Sequence, residues 1–148
     1  MLCETDIKVS WRARPRGFVA LMGLYESNYL RFLWLAGEPA KLSGTLISRV
    51  EDDCVLQLTV LEHTRYTSAL ELTYLLRVGG QDQRLPNMRL RAYHDARLLE
   101  AESIEAQLKR RSTEARRGER ELHQRWMRNM MLNKWLEYCA ERGHKFEA

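Results

Sequence analysis

Cysteine is scarce in this chain and poorly placed for structural chemistry. Its three cysteines, Cys3, Cys54 and Cys139, are odd in number, far apart and without CxxC spacing. That excludes a disulfide framework and a thiolate zinc site, and the residues read as reduced thiols, two of them buried. His63, His94, His123 and His144 fall in four separate elements with no HxH or HxxxH spacing, so no metal is expected. No run approaches the ~18 consecutive apolar residues of a membrane span, and the opening MLCETDIKVSWRARPRGF lacks the basic-then-apolar order of a signal peptide. The expectation is a cytoplasmic protein with no membrane contact. There is no GxGxxG, and the one glycine pair, Gly79-Gly80, does not open a helix, which excludes a dinucleotide fold; no cofactor is expected. Internal repeats and low-complexity tracts are absent as well.

What is present suffices for one core. A chain of 148 residues, 45% hydrophobic, has the size of a single domain, here read as one α+β unit in which residues 1–16 form a flexible or extended arm. The formal charge of +4 hides a local concentration. Residues 109–128 hold eight basic side chains, Arg110, Arg111, Arg116 and Arg117 among them, against the acids Glu114, Glu119 and Glu121. Attraction to an anion is therefore focused there and at WRARPR near the N-terminus.

Over residues 18–35, Phe18, Leu21, Met22, Tyr25, Tyr29, Phe32 and Leu33 recur at three- and four-residue steps, predicting an amphipathic helix stopped by Gly37 and Pro39. The period then changes to two. GTLISRV (44–50) and Leu56, Leu58, Val60 predict a hairpin about Glu51-Asp52-Asp53; Leu70, Leu72, Tyr74 and Leu76 predict the next strand, after a reversal at HTRYT. Residues 79–86 carry turn residues and read as a loop. Met88, Leu90, Ala92, Ala96 and Leu98 share one parity, predicting one long bent strand or two strands broken at 93–96. A last helix over 119–142, capped by Gly143, has a main stripe of Met127, Met131, Leu132, Trp135, Tyr138 and Cys139. Leu122, Trp126 and Met130 form a second line, to be buried against the first helix or in a homodimer through Trp126 and Met130. The expected fold is α+β: an antiparallel sheet of four or five strands, with both helices packed on one face.

MGLYESNY (22–29), VLEHTRYTSALEL (60–72), LPNMRLRAYHDARLLEA (85–101), LHQR (122–125) and LNKWLEYCAERG (132–143), in that order, resemble the YqiB-like family of short bacterial proteins. That family is a domain of unknown function, so the resemblance implies a relative without a reaction. The basic insert at 109–117 lies outside its pattern.

Candidate site residues follow from side-chain chemistry. Arg65 and Tyr66, with the hydroxyls of Thr64 and Thr67, offer a grip for phosphate or carboxylate at a hairpin tip, or else a turn whose threonines satisfy their own backbone. Arg91, Tyr93 and Arg97 share one strand face, either solvated or an anion platform with an aromatic for stacking. His94-Asp95 reads as a structural bend with a possible site beside it, because neighbours on a strand point to opposite faces and cannot form a triad pair. Catalysis would require His94, Asp95, Glu62 and Glu26 to converge. The reading from sequence is a non-enzymatic binding protein for an anionic partner, a nucleotide-like small molecule or nucleic acid, through Arg65, Tyr66, Arg91, Tyr93 and His94, or through Arg110, Arg111, Arg116 and Arg117. A dimeric adaptor module and a His94/Asp95 acid/base enzyme are the alternatives.

Overall fold

A computed structural model describes residues 17–105 and 117–147, with the backbone alone for 117–120. The N-terminal arm and Arg110, Arg111 and Arg116 of the basic run lie outside the described residues, as does the side chain of Arg117. Helix α1 (Phe18–Ala36) and a 3-10 turn (Pro39–Lys41) lead into β1 (Thr45–Ser48), β2 (Val55–His63), β3 (Thr67–Val78), β4 (Gln81–Tyr93) and β5 (Leu98–Glu105), and helix α2 (Arg117–Glu141) follows. The strands pair antiparallel in sequence order, β1-β2-β3-β4-β5. This is the α+β arrangement that the switch of period implies.

The sheet's apolar parity stacks in rows. Leu46, Leu58, Leu72, Met88 and Ile104 align across all five strands, and Val60, Leu70, Leu90 and Ala101 form the next row. These rows meet Phe32 and Leu35 of α1 and Leu132, Trp135, Leu136 and Cys139 of α2 in one cluster. Burying each large side chain stabilises by about 1.5–3 kcal/mol relative to exposure, so this seam is the principal source of stability. Gly37, at φ 83, donates its N–H to Leu33 O at 2.9 Å and ends α1, a conformation that favours glycine.

Several expectations are corrected. Residues 79–86 are not a loop: Gly79 and Gly80, both at positive φ, make a two-residue turn, and the strands pair right up to Val78 and Gln81. Such a turn matches the twist of the strands it joins, so the hairpin extends instead of fraying. The 93–96 region resolves as two strands joined by a turn at residues 94–97, which also takes Arg97 off the strand face. On α1, Phe18 lies on the surface and Asn28 is buried in its stead. On α2, Met127, Met131 and Tyr138 are exposed while Asn129 and Asn133 are buried. The helix is thus rotated from its hydrophobic stripe, because it sits in the crease between α1 and the sheet and contacts both. Leu122, Trp126 and Met130 pack on Leu21, Leu24 and Tyr25 of α1, which takes up the second apolar line within the chain.

Polar groups decide that rotation. Asn28 Nδ2 donates to Leu99 O (3.2 Å), the Ala101 N–H donates to Asn129 Oδ1 (2.8 Å), and Arg128 Nε donates to Ala101 O (3.3 Å). The outer edge of β5 is closed by helix side chains instead of a sixth strand, which removes a template for unwanted pairing. Asn28 also donates to Asn129 Oδ1 and accepts from Asn133 Nδ2, so one amide chain locks α1, α2 and β5 together.

Candidate functional site: two corners held by histidine

The TRYT and YHDA turns, far apart in sequence, meet at one end of the sheet. Thr67 pairs with Tyr93, and the His94 N–H donates to Tyr66 O at 2.8 Å. The His94 ring sets the joint. Its Nδ1 lies 3.1 Å from Arg65 O and, facing a carbonyl, donates; Nε2 is hydrogen-bonded to Ser68 Oγ at 2.8 Å, and Ser68 is fully buried. Both ring nitrogens are occupied, and Asp95, exposed in the turn, is bonded to neither. His63 stands against it, ring centroids 5.5 Å apart, donating Nε2–H to Ala40 O at 2.9 Å.

This corner divides the sequence candidates into two groups. The threonines of TRYT serve their own turn: the Thr64 hydroxyl takes the Thr67 N–H at 3.1 Å and lies 3.0 Å from the Thr67 hydroxyl. Arg91 and Tyr93 are committed to carboxylates, Arg91 Nε donating to Glu102 at 2.7 Å and the Tyr93 hydroxyl to Glu100 at 2.7 Å. The hydrogen bond to Glu102 raises the Arg91 pKa, and burial followed by Glu100 pushes the Tyr93 hydroxyl up, so both stay protonated. Arg65 and Arg97 differ. Among the described residues neither has a carboxylate partner, and each lies over an aromatic ring, Arg65 over Tyr66 at 5.3 Å and Arg97 over Tyr29 at 5.0 Å. Arg97 sits at φ 58, closing the turn through its N–H to Tyr93 O at 2.9 Å. A bulky residue in the left-handed region is disfavoured where glycine would fit.

The opposite end of the sheet holds a second constellation, with no signature in sequence. His144, just past α2, is buried with Nε2 2.9 Å from Asp53 Oδ2 and Nδ1 2.8 Å from Ser48 Oγ. The Tyr74 hydroxyl also donates to Asp53, at 3.0 Å. Serine, histidine and aspartate here are joined as in a nucleophilic triad, but Ser48 is buried and its oxygen already accepts the Lys145 N–H at 3.0 Å. The depression beside Asp53 is walled by Ile47, Arg49, Val55 and Leu75 and does not reach Ser48 or His144. The cluster therefore works as a latch holding the C-terminal tail, aided by the Phe146 N–H to Leu35 O at 2.8 Å. Burial alone raises the Asp53 carboxyl, yet the hydrogen bonds from the Cys54 N–H, Tyr74 and His144 outweigh it and hold its pKa below the ordinary value. Burial pushes the Cys139 thiol up to about 12, and burial followed by Asp53 raises Cys54, so neither is an activated nucleophile.

Sequence reasoning missed Arg97 as a turn residue, the Asn28-Asn129-Asn133 chain and the latch. Asn129 and Asn133, four apart on an apolar face, were the available signal. For Ser48, Asp53 and His144 there was none, because their spacing follows from the tertiary fold alone.

An antiparallel meander with both helices on one face and one edge closed by asparagines defines a small α+β domain. Residues 31–145, more than half of the chain, match the family described as "Protein of unknown function (DUF1249)", and the chain belongs to that family. No curated protein and no solved structure matches it. Among the described residues no helix is long and apolar enough to cross a membrane.

Proposed function

We propose that this is a non-enzymatic, cytoplasmic binding protein that recognises an anionic partner, a nucleotide-like small molecule, at the corner where TRYT and YHDA meet. The observation that carries the reading is the pair Arg65 and Arg97: two guanidiniums on adjoining turns, the Arg65 turn held by His94 through its backbone carbonyl, and neither with a carboxylate partner among the described residues. A pre-positioned guanidinium supplies charge-assisted hydrogen bonds to phosphate or carboxylate. Tyr66, 55% exposed, leaves an aromatic surface for a base beside it. His94 positions the turns. Arg91 and Tyr93 frame the corner through Glu102 and Glu100 and do not bind the ligand.

Calorimetry against inorganic phosphate, a panel of nucleotides and short oligonucleotides tests this. Saturable one-to-one heat with a nucleotide, abolished by Arg65→Ala, is the expected result. A second reading, nucleic-acid binding, is favoured by the basic run at 109–128. It predicts instead a steep fall of oligonucleotide affinity with salt, flattened when Arg110, Arg111, Arg116 and Arg117 become glutamine. No heat with any of these anions would remove both readings.

A further inference from the structure

On the outer side of the helix pair, away from the sheet, α1 and α2 leave an apolar groove of about 400 Å³ lined by Leu136 and Ala140, with the exposed Leu30 and Trp34 beside them. Trp34 is 79% exposed, more than any other large apolar side chain among the described residues. We infer that this groove docks a second copy of the chain across a two-fold axis, the Trp34 indole of each copy entering the groove of the other.

A two-fold interface must be complementary to itself, so one patch has to supply both the knob and the hole, and both signs of charge. This patch does. Its volume lies within the 300–1,000 Å³ that accepts a whole small molecule, ample for one indole. Its charges are under-used: Arg31, partly exposed, reaches Glu137 only at the outer limit of an ion pair, 4.0 Å, and Glu141 has no cation partner among the described residues. The proposed two-fold would pair the Arg31 of one copy with the Glu141 of the other, both of which line the groove. An unrelated partner would need the apolar floor but not this matched pair of charges. Trp126 and Met130 take no part, being packed on α1.

Light scattering and sedimentation of the full chain across the micromolar range test the inference. The wild type should be a dimer at the upper end, and Trp34→Glu a monomer with unchanged circular dichroism, since Trp34 lies outside the core. Trp34→Ala should weaken association at least about thirtyfold, the least that a central aromatic anchor contributes. Arg31→Glu should also give a monomer, and Arg31→Glu with Glu141→Arg should restore the dimer; these arms hold even if Trp34→Glu alters the fold. A wild type monomeric throughout overturns the inference. So does a dimer that survives Trp34→Glu, or a charge exchange that fails to restore association.

Discussion

His94 and His144 hold buried serine hydroxyls at the same 2.8 Å distance, at opposite ends of the sheet, yet the two corners differ in the partner of the second ring nitrogen. His94 faces the Arg65 carbonyl, a neutral dipole, whereas His144 faces the Asp53 carboxylate, which also receives Tyr74 and lies 3.8 Å from Arg142 Nε. One corner is a pin between two surface turns. The other is a buried charged latch whose loss strands several polar groups at once. The corner that is cheaper to disturb is the one that presents two arginines without carboxylate partners among the described residues.

The largest effect should come from the latch. Asp53→Ala leaves the Tyr74 hydroxyl and the His144 N–H without an acceptor in the interior, and we expect a loss of about 3 kcal/mol in urea unfolding. Hydrogen exchange should locate the opening at the tail, and a midpoint unchanged within error would refute the latch. His94→Ala removes bonds to one carbonyl and one hydroxyl in a partly solvated place, so about 1–2 kcal/mol is expected, less than at Asp53. If the order of these two is reversed, the distinction between pin and latch fails.

Acid should separate the corners too. Because the folded pKa of Asp53 is depressed, its contribution to stability is present above the unfolded value of about 3.9 and is lost as pH falls through the folded value. Asp53→Asn should therefore lose less stability than the wild type between pH 5 and the acid limit. Parallel curves for wild type and Asp53→Asn would contradict this.

The smallest change in stability, and the most telling for function, is expected at Arg97. Arg97→Gly relieves a left-handed arginine and gives up a cation-ring contact; each is worth about 0.5–1 kcal/mol, and they offset. The melting temperature should barely move while nucleotide binding at the TRYT/YHDA corner is lost. Binding that persists in the glycine variant would place the ligand elsewhere.

Alternation in Leu56-Leu58-Val60 and Leu70-Leu72-Tyr74 made the strands legible, because a period of two has one structural meaning. Seven apolar residues over 18–35 did the same for α1, and His94 was correctly suspected of bending the chain where the turn lies. The rotation of α2 was not legible: hydrophobicity alone puts Met127 and Met131 inside, whereas the Ala101 N–H of β5 draws Asn129 inward and the Asn28 amide of α1 draws Asn133. Arg91 and Tyr93 looked like a platform because Glu100 and Glu102 sit on a different strand.

The sequence by itself determined the two helices, the first three strands and their antiparallel order, since periodicity and turn chemistry act between near neighbours along the chain. The tertiary structure alone decided which arginines meet carboxylates, which histidine meets one and which tryptophan remains in solvent. Ser48 and His144 are 96 residues apart, and Asn28 and Asn133 are 105 apart. Such contacts depend on how layers are stacked and rotated, and a local pattern carries no information about a partner brought close only when the core closes.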